Sequence, residues 1–554
     1  NIIMDRYIKN GTLPDFDIYG GWRKPNEQYS VAANTPTIEI NSGQFNKIIM
    51  GNGMGTNAVS NLQNTTSNNI MGSSSASFGG TVTVDYIGKM KQEDIGLIAG
   101  GNEIGTIYSN AIINIKNGNV GKIIGGNYAD SSNRPTSWAY PLNTFIGTST
   151  INITGGQIEN IIGASYGRNV NGTTIKSDAY YYGTINIKIS GGTINSDIYG
   201  AGVGSTTGYN TNSSDAYKSY GANVTTSTNI NISGGTIKGN VYGGGYAYSE
   251  NLTEAQQQLD SGALYGNSNV IVNGSPTING DIYGSGKGYN YSTVPNNSKM
   301  IGNTTVTISG TPTIGSGKII YGAGNGLALS TTAGLTGNTT INMNATINKS
   351  VYGGGNSANV IGNTNVNLSA SNNLAIHGGG KGTGKVSLKS SVNINNGTYG
   401  TIYGGGQNNV RETSIIATGG QASYIYGGGI NANSVTTKSN VNIKGTKIIG
   451  MVCGAGGANS TTTTTNVTLT SSSATIPTVY GGGQTITSQV TNANINCNGA
   501  TITNIYGGSA YGGNVEKTNV KVNSGTVSNI YGGNYNSGEI TQSTNITVNG
   551  GTIS

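Results

Sequence analysis

Apolar and polar residues alternate in short runs along most of this chain, and the runs recur. In "TNINISGGTIKGNVYGGG" (residues 228–245), Ile230 and Ile232 fall on one face of an extended strand, with Asn229 and Asn231 on the other. A glycine turn follows, then a short strand carrying Ile237, a second turn, and a corner in which Val241 precedes Tyr242 and three glycines. The same slots are filled by Ile341, Met343, Ile347 and Val351, and later by Val520, Val522, Val527 and Ile530.

With the first corner glycine as marker, the unit returns at Gly20, Gly51, Gly100, Gly125, Gly163, Gly200, Gly243, Gly284, Gly322, Gly353, Gly378, Gly404, Gly427, Gly454, Gly481, Gly507 and Gly532. From Gly353 onward the spacings are 25, 26, 23, 27, 27, 26 and 25 residues; between Gly125 and Gly322 they lengthen to 37–43. One unit has too few apolar residues to form a core. Stacked units bury each other's faces, so the pattern predicts an all-β, right-handed parallel β-helix (β-solenoid) of roughly 16–18 coils. Each coil has about 25 residues and three short strands, and coils 125–322 carry loop insertions. At about 4.8 Å per coil the expected rod is roughly 80 Å long. Residues 1–45 are expected to be a cap or coupling segment and 46–554 a continuous solenoid, insertion-bearing over 126–322 and compact over 323–554.

Composition agrees. Gly is 93 of 554 residues and charged residues are 9%, against usual shares of roughly 7% and a quarter. Plentiful Ile, Val, Thr and Tyr argue against disorder. The chain resembles the Gly/Asn/Thr-rich β-solenoid exoproteins of bacteria, the broad class of filamentous adhesins and surface passenger domains. The resemblance covers nearly the whole chain and implies an extracellular or cell-surface location, without singling out one family.

The net charge of +7 reads as spread over the whole chain, with no polybasic run, so nucleic acid is not an expected partner. No signal peptide or membrane-inserting stretch is visible, and a chain beginning at Asn1 reads as mature or trimmed. Two cysteines and one histidine leave no metal or cofactor set. His377 and Cys453 occupy the corner slot of tyrosine, while Cys497 shares an inward slot with Met343, Leu368, Ile394 and Leu469. A Cys453–Cys497 disulfide would therefore join side chains of opposite direction.

The corner tyrosines (Tyr199, Tyr242, Tyr283, Tyr321, Tyr352, Tyr403, Tyr426, Tyr480, Tyr506 and Tyr531) are expected to form an outward ladder, with the glycines turning the corner through φ values other residues resist. The ladder either stabilises the corner by stacking, the favoured reading, or forms a docking strip. A second outward column, Asn342, Asn367, Asn393, Ile416, Asn442, Thr468, Asn496, Lys521 and Thr547, reads as an Asn ladder rather than an ice-binding Thr array.

Catalysis would need clustered carboxylates. The best case is Asp197 and Asp281, two coils apart with Asn240 between them, and isolated Asp residues there read as turn formers. No catalytic residue is assigned and no enzyme expected. The insertions all follow the glycine corner and so emerge on one edge. Their tyrosines, above all Tyr181, Tyr217, Tyr220, Tyr246, Tyr248, Tyr289 and Tyr291, are candidates for binding a glycan or surface protein, with Trp138 and Tyr140 as further members. Residues 252–260 are the one helical stretch expected. The functional expectation is a structural rod, fibre or surface layer. The terminal "GGTIS" and the early "DIYGG" together resemble one coil, which suggests either head-to-tail stacking of copies or a cut chain whose coils continue; a cell-surface adhesin is the alternative function and a polysaccharide-active β-helix enzyme a minor one.

Overall fold

The computed structural model describes residues 17–19, 37–43, 47–49, 71–82, 96–102, 107–129, 143–167, 179–206, 224–249, 262–291, 294–296, 298–326, 334–431, 434–471 and 474–554. They fall into two compact units, Asn1–Asn303 with Thr311–Ser316 and Thr331–Gly334, and Thr304–Gly310, Gly317–Ser330 and Leu335–Ser554. Each is a parallel β-solenoid, and the described residues include no helix. The helical stretch expected at 252–260 lies outside them.

In the first unit, strands Ser149–Ile153, Ile185–Ile189, Thr228–Ile232 and Ser268–Val272 lie in register one above the next. The second strands, Thr193–Ile194, Thr236–Ile237 and Thr277–Ile278, form another ladder, and the corner strands Ile198–Tyr199, Val241–Tyr242 and Ile282–Tyr283 a third. The ladders already include Asp17–Tyr19 and Thr37–Gly43, within the segment expected to be a cap. Ile49 pairs with Tyr19 and Ala99, which puts it in the corner column of its coil. One antiparallel hairpin, Tyr289–Tyr291 with Val294–Asn296, stands in an insertion.

The second unit repeats the plan. Thr339–Met343 pairs with Thr364–Leu368, which pairs with Val386–Ile394; in later coils single strands such as Gln489–Tyr506 and Asn514–Tyr531 run through the turns. Val366 and Leu368 are fully buried while Asn365 and Asn367 face outward, as alternation requires. The Asn column holds its register from Asn342 to Thr547. Its amides bond along the stack, Asn367 Nδ2 to Asn342 Oδ1 at 2.8 Å and Asn393 Nδ2 to Asn367 Oδ1 at 2.9 Å.

The corner glycines act through crowding. None of Gly353, Gly378, Gly404 and Gly427 has a positive φ; that conformation belongs to turn glycines such as Gly192 (77°) and Gly420 (67°). A Cβ on Gly353 would instead lie 2.2 Å from the Gly378 carbonyl oxygen of the next coil. The expectation of unusual φ at the corner is thus corrected: the backbones of successive coils approach too closely there for any side chain.

Candidate functional site

The corner tyrosines stack, but they do not face solvent. Tyr199, Tyr242, Tyr283, Tyr321, Tyr352, Tyr426, Tyr480 and Tyr506 are buried, Tyr403 is half-buried, and only Tyr531 is open, at 46%. Alternation does place the ring opposite the inward aliphatic residue. What it misses is that the chain beyond the glycines doubles back over the rings. In the first unit this covering layer is a small parallel sheet of Tyr128–Ala129, Tyr166–Gly167, Val203–Thr206 and Tyr246–Ser249. The expected outward ladder is therefore a second, aromatic core.

Ring spacing follows the coils. Centroids are 5.3 Å apart for Tyr199–Tyr242 and 4.8 Å for Tyr242–Tyr283, with the planes nearly parallel. Tyr246, from the covering layer, stacks on Tyr199 at 5.2 Å. Where the corner slot holds Ile124 and Ile162, the covering layer supplies the rings, Tyr128 and Tyr166, at 5.7 Å. In the second unit the column passes from Tyr352 through His377 (4.3 Å) to Tyr403 (4.8 Å) and Tyr426 (5.0 Å). Cys453 fills the next slot, and Tyr480, Tyr506 and Ala510 pack in the same cluster.

Burial sets the chemistry of these groups. The His377 ring is buried between two aromatic faces and its Nδ1 has no hydrogen-bond partner. Desolvation, assisted by nearby Lys381, lowers its pKa to about 3, so the ring is neutral at physiological pH. Burial pushes the Tyr352 hydroxyl up to about 12 and raises the Cys453 thiol well above its ordinary value. An unactivated thiol in a dry cluster is a packing group. Cys497 is buried in the Leu469 and Val522 column, and both cysteines are free thiols.

Asp197 is fully engaged. It accepts from the Tyr199 hydroxyl (2.9 Å), the Asn240 amide N–H (2.8 Å), Asn240 Nδ2 (3.1 Å) and Lys287 Nζ (3.1 Å). These four donors match the acceptor capacity of a carboxylate. Asp281 repeats part of the arrangement: its backbone N–H donates to Asn240 Oδ1 (2.8 Å) and its carboxylate accepts from the Tyr283 hydroxyl (3.1 Å). Lys287 also stands 4.7 Å from the centre of the Tyr246 ring, which favours a cation electrostatically. The cluster locks corner, covering layer and three coils together, and the sequence signal for it was the Asp-x-Tyr spacing.

Of the insertion tyrosines proposed to bind a partner, one is corrected. Tyr181 is fully buried, stacked on Phe145 at 4.8 Å, with its hydroxyl donating to the Gly147 carbonyl (3.1 Å). It is a core residue because the strand Ala179–Tyr182 continues the ladder inward of the loop. Tyr246 is half-buried in the covering layer. Tyr248 lies on that layer's strand and Tyr289 and Tyr291 on the hairpin, whereas Tyr217, Tyr220, Trp138 and Tyr140 fall outside the described residues.

No family model, curated protein or solved structure matches this chain.

The repeat also has a device that the sequence reading passed over. In many coils the alternating run opens on a buried Thr or Ser whose hydroxyl donates to the corner glycine carbonyl of the same coil: Thr339 to Gly353, Thr364 to Gly378, Ser390 to Gly404 and Ser439 to Gly454, all at 2.6–2.7 Å. The signal was the Thr or Ser that opens runs such as "TNVNL".

Proposed function

We propose that this chain is an extracellular structural β-solenoid protein, a component of a fibre or surface layer, with no enzymatic activity. The observation that carries this reading is the use made of the reactive side chains. Most corner tyrosines, His377 and Cys453 are buried against their counterparts in adjacent coils, and half-buried Asp197 bonds to groups of neighbouring coils, so these side chains hold the coils together. Copies are taken to join head to tail, because only that contact continues the parallel ladders from one chain into the next, and such a contact propagates without closing. Deleting residues 1–22 tests the assembly: under this reading filaments are lost while sedimentation and circular dichroism report folded single chains. Filaments that persist unchanged would overturn it.

A surface adhesin is the second reading. Exposed Tyr182 (44%), Tyr511 (48%) and Tyr535 (54%) favour it, since open tyrosines suit glycan or protein recognition. Its expected signature is isolated particles on cells that bind a surface glycan or protein and lose that binding when Tyr511 and Tyr535 become Ala.

A further inference from the structure

The charge is not evenly spread. Residues 304–554 contain eleven basic side chains and three acidic ones, whereas residues 1–303 contain seventeen basic and eighteen acidic. The second unit therefore carries +8 and the rest of the chain −1. Five of those cations, Lys389, Arg411, Lys438, Lys517 and Lys521, stand on the outer face of the first-strand ladder. All are exposed except half-buried Lys389. Among the described residues none of the five forms an ion pair, although Glu412 lies between Lys389 and Lys438 in register. The face's other carboxylate, Glu516, accepts from Gln542 Nε2 (2.9 Å) and Thr491 Oγ1 (3.5 Å).

We propose that this face binds an anionic polysaccharide of the polyuronate type. Two observations support that occupant. Lys389, Lys438 and Lys517 share one register column, with Glu412, Thr464 and Asn492 in the coils between them, so positive charge recurs there at multiples of the coil rise of about 4.8 Å, comparable to the length of one pyranose unit. Beside it run columns of amides and hydroxyls held in place by their own hydrogen bonds: Asn466 Nδ2 donates to Asn440 Oδ1 (3.0 Å), Asn494 Nδ2 to Asn466 Oδ1 (3.2 Å) and Asn519 Nδ2 to Asn494 Oδ1 (3.1 Å). A sugar chain along the solenoid presents hydroxyls to these columns and carboxylates to the lysines. Nucleic acid fits less well, because single-strand binders interleave rings with their cations. The outward residues in register with Lys438, Asn440 and Asn442, from Lys389 to Lys521, include no aromatic side chain.

This proposal is independent of how the protein assembles, and its test does not depend on filaments. Full-length protein is applied at low and high salt to beads carrying polygalacturonate, neutral dextran or single-stranded oligothymidine. Arg411→Glu/Lys438→Glu/Lys517→Glu, all at exposed positions, is compared with Lys188→Glu/Lys238→Glu in the first unit. Expected are salt-sensitive binding to polygalacturonate, weakened about tenfold or more in the triple variant, and little change in the double variant. Equal loss in both variants, unchanged binding by the triple variant, equal retention on dextran, or binding to oligothymidine at least as tight would each overturn the proposal.

Discussion

At the corner, glycine is selected by the neighbouring coil rather than by its own dihedral angles, and that distinction is measurable. Gly404→Ala places a Cβ 2.2 Å from the Gly427 carbonyl oxygen, while Gly317→Ala, at φ 69°, meets nothing within 4 Å. The first should cost more, about 2–3 kcal/mol through enforced backbone shifts, against about 1 kcal/mol for the left-handed alanine. Urea melts of both variants check the order, and a larger loss at Gly317 would refute it. Inward residues obey a sharper rule: Leu368→Asp should unfold its region, because a lone carboxylate in so narrow a core has no partner. Hydrogen exchange at neighbouring amides reads the result, and native protection there would remove the inward assignment.

His377 adds a pH dependence with a definite sign. Its folded pKa is lowered to about 3, while the unfolded chain titrates near the ordinary value of about 6.5. Below about pH 6.5 the unfolded chain binds a proton that the folded one does not. Stability from this group is therefore intact above that pH and is lost as pH falls toward about 3, by up to about 1.4 kcal/mol per unit. His377→Tyr should flatten the slope, as measured by denaturant midpoints at about pH 5 and about pH 7.5.

At the scale of the strand and coil, alternation specified most of what is observed. Val366, Leu368 and Cys497 face the core, and His377 and Cys453 take the tyrosine slot, because a period of two and an aliphatic-Tyr-Gly corner leave a single consistent register. The fate of the tyrosines was not legible there. A strand pattern reports which side a ring leaves from, not what later covers it, and the covering segments lack a regular period. Tyr181 failed for a related reason: composition read "AYYY" as loop, whereas pairing with Asn143–Ile146 makes it strand. Charge clustering was visible in the residue count, but only the register brings Lys438 and Lys517 to one column.

The buried stack gives the corner more energetic weight than a surface ladder would have. Tyr403→Ala/Tyr426→Ala should lower stability by several kcal/mol, since large-to-small changes at buried aromatics cost about 3–5 kcal/mol each and stacked neighbours couple. Calorimetry of the double variant measures it, with assembly expected to persist at low temperature. A loss of assembly with unchanged melting would instead make the column an interface.

For the whole molecule, repetition itself is the functional argument. Within each unit successive described coils pair through parallel ladders and stacked rings, so the account joins fold and function in one claim: coils stack within each unit and, as proposed, between chains. Electron cryo-microscopy of the native assembled protein tests that claim most directly. The account predicts continuous filaments whose density repeats at about 4.8 Å along the axis without interruption at subunit boundaries. Discrete particles with no end-to-end contact at native concentration would contradict it.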